Sequence, residues 1–88
     1  MKQYLFPAVF IKAEDEVVAV FPDLNITTEG DSMEEAYLFA KDYLRVYCSY
    51  TVKFDVELDR PSKFEDIQNK YKNDTVMLVD VILDPQKI

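Results

Sequence analysis

The sequence contains no histidine and no tryptophan, and its 88 residues include one cysteine, one glycine and four prolines. Without histidine there is no imidazole to act as a general base near neutral pH, and a common zinc ligand is missing. A single cysteine, Cys48, excludes an intrachain disulfide. With no histidine to activate it, Cys48 reads as a small buried hydrophobe and not as a nucleophile. One glycine, Gly30, cannot build a glycine-rich phosphate loop or a G-x-S-x-G elbow. No apolar run approaches the ~20 residues of a membrane-spanning helix. The opening MKQYLFPAVFIKAED has too short an apolar run for a secretory signal and no small-residue cleavage pattern. These absences set the expectation of a cytoplasmic protein with no membrane segment, cofactor, metal or enzymatic activity.

What is present is a core and a charge. Hydrophobic residues make up 49% and aromatics 14%, with six Tyr and six Phe. That is enough for one packed domain over residues 1–88, and it is not the composition of a disordered chain. Ten basic residues face seventeen acidic ones, a net charge of −7. Such a chain repels phosphate backbones and is drawn to a basic partner. The same charge would also serve only to keep a small protein soluble.

The hydrophobic pattern predicts strands at 4–12, 17–22, 26–29 and 75–83. Pro7 lacks an N–H, which places the first strand at an edge or a bulge. The last strand, TVMLVDVIL, is apolar on both faces except for Asp80, the mark of a central strand. Gly30 ends the third strand, where a positive φ would favour it. Asp31 followed by Glu34 predicts a helix cap, with the helix over 32–50. Residues 53–58 read as either a short strand or an extended linker. Ser62 with Glu65 predicts the cap of a short second helix. The fold class is α+β, in the order β-β-β-α-β, with a small, mostly antiparallel sheet and the long helix on one face.

Along that helix one apolar stripe (Met33, Ala36, Tyr37, Ala40, Leu44, Tyr47, Cys48) has the spacing of a sheet contact. A second stripe, Phe39, Tyr43, Val46 and Tyr50, widens the apolar arc to roughly 200° at about 100° per residue, more than one contact needs. Its cover is either the chain's own C-terminal segment, the reading that small domains favour, or a second subunit. The second reading makes these four residues an oligomer contact in a homodimer or higher form.

The carboxylates nearest strand ends are Asp23, Glu29, Asp31, Asp55 and Asp80. A hairpin sheet with a helix is reminiscent of ribonuclease H, which holds divalent metal on such carboxylates. Here each has a plainer role. Asp23 belongs to a turn, Asp31 to the cap, Asp55 alternates outward, and Asp80 meets a sheet margin or a cation.

Phe6-Pro7-Ala8, then Phe21-Pro22-Asp23-Leu24, then Gly30-Asp31 and Glu34-Glu35-Ala36 follow one another in an order and spacing that resemble the HicB-like antitoxin domain. The later Arg60-Pro61-Ser62, Glu65-Asp66-Ile67 and VMLVDVILD resemble the same family. Where that family often has Pro-Gly-Cys after Phe-Pro-Asp-Leu, this chain has Asn25-Ile26. The resemblance implies a partial ribonuclease H-like fold without nuclease activity. It implies as partner a small basic toxin of HicA type that cleaves mRNA. Many relatives carry a C-terminal DNA-binding segment; with the sequence ending at Ile88, direct DNA binding by this chain is not expected. The rival reading is a stand-alone HicB-fold homo-oligomer with a different protein partner. For a basic partner, the charge pattern singles out Glu14, Asp15 and Glu16 at the hairpin tip and Asp23 after the second strand.

Overall fold

The computed structural model describes residues 1–58 and 60–84. Six elements follow in chain order: β1 (Lys2–Lys12), β2 (Val17–Phe21), β3 (Ile26–Gly30), α1 (Met33–Lys53), α2 (Phe64–Lys70) and β4 (Thr75–Leu83). The strands form one antiparallel sheet in the order β3-β2-β1-β4. This is the α+β architecture that the hydrophobic pattern predicts. The reading of the chain's end at Ile88 concerns residues outside the described ones.

Alternation along β1 decides what each sheet face packs against. Phe6, Ala8 and Phe10 join Ala19, Phe21, Val79 and Val81 under α1, which contributes Ala36, Ala40, Leu44 and Cys48. Val9 faces the other way and, with Ile67 and Val76, forms a smaller cluster beneath α2. Each large side chain so buried contributes about 1.5–3 kcal/mol relative to exposure. Small residues on the inner side of α1 let the helix sit close to the sheet.

The sheet order corrects two readings. The closing strand β4 lies at an edge, not in the centre. It is apolar on both sides because α1 covers Val79 and Val81 while α2 covers Val76, and Leu78 and Ile82 stay exposed. Strand β1 is central, yet its pairing with β2 covers only Val9–Lys12. Pro7 pairs with Leu78 of β4 alone, so the missing N–H falls where β1 has a single ladder neighbour.

The start of α1 is set one residue later than Asp31. Ser32 is the extended cap residue, and its Oγ accepts the Glu35 N–H at 3.1 Å. Glu35 Oε1 reciprocally accepts the Asp31 N–H at 3.0 Å. The pair Ser32/Glu35 therefore takes the reciprocal capping role predicted for Asp31/Glu34. Gly30 does not have a positive φ. A Cβ there would stand 2.6 Å from the Ala36 backbone nitrogen, so glycine is required by the approach of β3 to the first turn of α1.

Beyond Lys53 the chain leaves the helix. Phe54 donates its N–H to the Tyr50 carbonyl, Asp55 takes a left-handed φ of 52°, and Val56 donates to the Thr51 carbonyl at 2.8 Å. Lys53 closes α1 and residues 54–58 form no strand, so of the segment 53–58 only 54–58 is linker. The short helix α2 begins after Lys63 without a side-chain cap. Ser62, the expected cap, is engaged elsewhere.

Candidate functional site

Glu14, Asp15 and Glu16 lie in the tight connection between β1 and β2, closed by the Ala13 N–H donating to the Glu16 carbonyl at 2.8 Å. Glu14 and Asp15 are exposed. The β2–β3 register sets Val17 opposite Gly30 and Val18 opposite Glu29, which brings Glu29 and Asp31 beside the tip. The Glu16 carboxyl is pushed above its ordinary range, first by a hydrogen bond with the Glu29 side chain, then by the charge of Glu29, and less by desolvation and Asp31. Carboxylates crowded in this way make a concentrated negative surface, which a cationic group would relieve. Glu29 and Asp31 were not singled out for this surface in the sequence; only the strand register reveals them.

Asp23 stands apart. It sits in the turn after β2, at the opposite end of that strand from the tip, about 15–20 Å away at the usual rise per residue. Both its carboxylate oxygens are already used, Oδ2 accepting the Ser62 N–H at 2.8 Å and Oδ1 accepting the Ser62 hydroxyl at 2.5 Å. It fastens the segment before α2 to the β2–β3 turn, across 39 residues of sequence. That is why Ser62 does not cap α2. In the same turn Asn25, which stands where Pro-Gly-Cys is common in HicB-like domains, adopts a left-handed φ of 55°, a conformation that asparagine tolerates better than most residues.

The second apolar stripe of α1 is bare. Phe39, Tyr43, Val46 and Tyr50 are between 47 and 69% exposed. Among the described residues the C-terminal segment does not cover them, because α2 packs on the opposite face of the sheet. The stripe continues past the helix end in Phe54, whose ring lies 4.7 Å from that of Tyr50. Leu38 is also exposed but projects about 100° away, among the polar residues.

Asp80 meets Lys41 of α1 at 3.7 Å. By alternation it points away from the face that holds Val79 and Val81, so the pair lies at the β4 edge and not in the core. Cys48 is buried, and burial pushes its thiol up to about 11. Among the described residues no three His, Cys, Asp or Glu side chains group to hold a metal ion. Among them, too, no helix is long and apolar enough to cross a membrane.

No protein-family model matches this sequence, and no curated protein matches it. Two solved structures match in three dimensions. One is the crystal structure of the antitoxin HicB of Burkholderia pseudomallei, with a TM-score of 0.79 and 16% identity, over 91% of this chain. This chain spans 63% of the length of that antitoxin. The other belongs to a toxin–antitoxin complex from Streptococcus pneumoniae, with a TM-score of 0.77 and 19% identity, over 98% of this chain and 72% of that one. At these identities the likeness is one of fold: nearly the whole chain is built as the matching part of an antitoxin HicB is built.

Proposed function

We propose that this chain is an antitoxin-type protein of the HicB kind, which binds and neutralises a small basic HicA-type toxin that cleaves mRNA. The observation that carries the reading is the fold, shared over 91% of the chain with an antitoxin HicB. The acidic end of the molecule supplies the physical means. Glu14, Asp15 and Glu16, joined by Glu29 and Asp31, offer closely spaced carboxylates to a protein whose cleft is basic because its substrate is RNA. The carboxylates take the place of phosphates in that cleft. In this reading the chain acts by occupying the toxin and performs no reaction itself. It does not bind DNA directly, because its own charge of −7 repels the backbone.

The test is a cleavage assay. A HicA-type ribonuclease is mixed with labelled mRNA and rising amounts of the chain. Cleavage should stop near equimolar addition, and the chain alone, with Mg²⁺ or Mn²⁺, should cleave nothing. Undiminished cleavage at a large excess of the chain would contradict the proposal. The rival reading, a HicB-fold homo-oligomer serving a different protein, draws on the bare stripe of α1. An affinity pull-down that recovers no small basic ribonuclease but a different, defined protein would favour it.

A further inference from the structure

We propose that two copies of this chain pair through the stripe of α1, helix against helix and antiparallel. The pairing holds whether or not a toxin is the partner, since it rests on α1 alone. Phe39, Tyr43, Val46 and Tyr50 follow one another at intervals of four, three and four, the seam spacing of helices that pack side by side. A two-fold axis between Tyr43 and Val46 sets each Tyr43 against Val46 of the second copy, and each Phe39 against Tyr50. Large then meets small at the centre, and at each end Phe39 joins the ring pair already formed by Tyr50 and Phe54.

Charge selects the second copy and its direction. Glu35 in the first turn and Lys53 in the last turn lie on the same flank of the stripe, five helical turns apart. In the antiparallel pair each Glu35 comes opposite Lys53 of the other copy, twice over. A parallel pair would leave both charges without this counter-charge, because the same flank of the two helices then lies on opposite sides of the seam. It would also bring together the two acidic ends, because Glu16, Glu29 and Asp31 crowd the N-terminal end of α1. Antiparallel pairing holds those ends roughly 30 Å apart, the length of α1, well beyond the ~8 Å over which salt screens charge. Both acidic surfaces then stay open, one at each end of the dimer.

The area is sufficient but not large. Five side chains about half exposed put roughly 500 Å² on each copy, at ~100 Å² apiece. Two copies bury ~1,000 Å² before the flanking charges are added, the threshold of a specific interface. The rival self-contacts are the two open sheet edges: β4 carries Asp80 and its partner Lys41 at mid-strand, and β3 carries Glu29. Charge placed there opposes strand pairing.

Sedimentation equilibrium and a spin-label distance test the arrangement. The chain should be a dimer at tens of micromolar. Val46→Arg should give a monomer with an unchanged circular dichroism spectrum, and Lys53→Glu should weaken the dimer several-fold. A nitroxide on Lys53→Cys should report about 25 Å between copies, from 1.5 Å of rise per residue. Cys48, buried and with its thiol held protonated, takes no label in the folded chain. Four results would overturn the proposal. They are a monomeric chain at high micromolar concentration, a Val46→Arg variant still dimeric, a label distance near ~10 Å as in parallel neighbours, and a monomer whose Val46→Arg variant loses only toxin binding. The last would assign the stripe to the toxin while leaving the antitoxin reading intact.

Discussion

The two sides of α1 are built on opposite plans. Toward the sheet it places Ala36, Ala40, Leu44 and Cys48, all fully buried and mostly small. On its free flank it places Phe39, Tyr43, Val46 and Tyr50, mostly large and half exposed. Size runs against burial. A helix that needed rings only to fold would point them inward; here close approach to the sheet demands small residues, and the rings remain outside. The inner side answers to the fold of one chain. The outer side is an apolar patch that no part of the described chain covers, and it is the face we propose for an association.

Substitutions on the two sides should therefore separate. Leu44→Ala removes a fully buried side chain and should cost about 2–5 kcal/mol of stability by denaturant unfolding. Tyr43→Ala, its exposed neighbour, should shift the stability of the monomer by no more than ~0.5 kcal/mol. Comparable losses at both would erase the distinction.

Gly30→Ala probes the close approach itself. The new Cβ meets backbone at 2.6–2.9 Å, which cannot swing aside, and the cost should be about 1–3 kcal/mol. An unchanged unfolding midpoint would mean that β3 and α1 do not sit as close as described.

Ser32→Ala removes the side-chain cap and should cost ~1 kcal/mol. Asp31→Ala should cost less, since Asp31 gives the cap only its backbone N–H. Thermal unfolding of the two variants decides which residue starts the helix.

The smallest effect belongs to Glu16. Its carboxyl is held above the unfolded value near 4.5, so the folded chain favours the protonated form. That contribution to stability is present at acid pH and is lost as pH rises through the raised folded value. Glu16→Gln should accordingly raise the melting temperature slightly at pH 7, and the gain should shrink below pH 5. A gain that persists unchanged in acid would remove the crowding with Glu29 as its cause.

Much of the fold was legible because it rests on local periodicity. The hairpin, the long helix and the closing strand each carry a pattern that one segment states by itself. What was misread depended on distant segments. The two-faced apolarity of β4 arises from two helices, not from two neighbouring strands, and no pattern within TVMLVDVIL distinguishes the cases. Ser62 has a good cap signature, but Asp23, 39 residues earlier, holds its hydroxyl. Of the proposed acidic surface, the contiguous tip Glu14–Asp15–Glu16 was readable from the chain. Glu29 and Asp31 needed the register of β2 and β3, and Asp23 proved to lie at the other end of β2.

The most direct test of the antitoxin reading is the association rate of the chain with a HicA-type ribonuclease, measured by stopped flow across a range of salt. An acidic end that steers a basic toxin predicts an on-rate that falls steeply as salt rises, with a smaller change in the off-rate. Changing Glu14, Asp15 and Glu16 to Gln, Asn and Gln should lower that on-rate and flatten its salt dependence. An on-rate indifferent to both salt and the triple change would contradict the account.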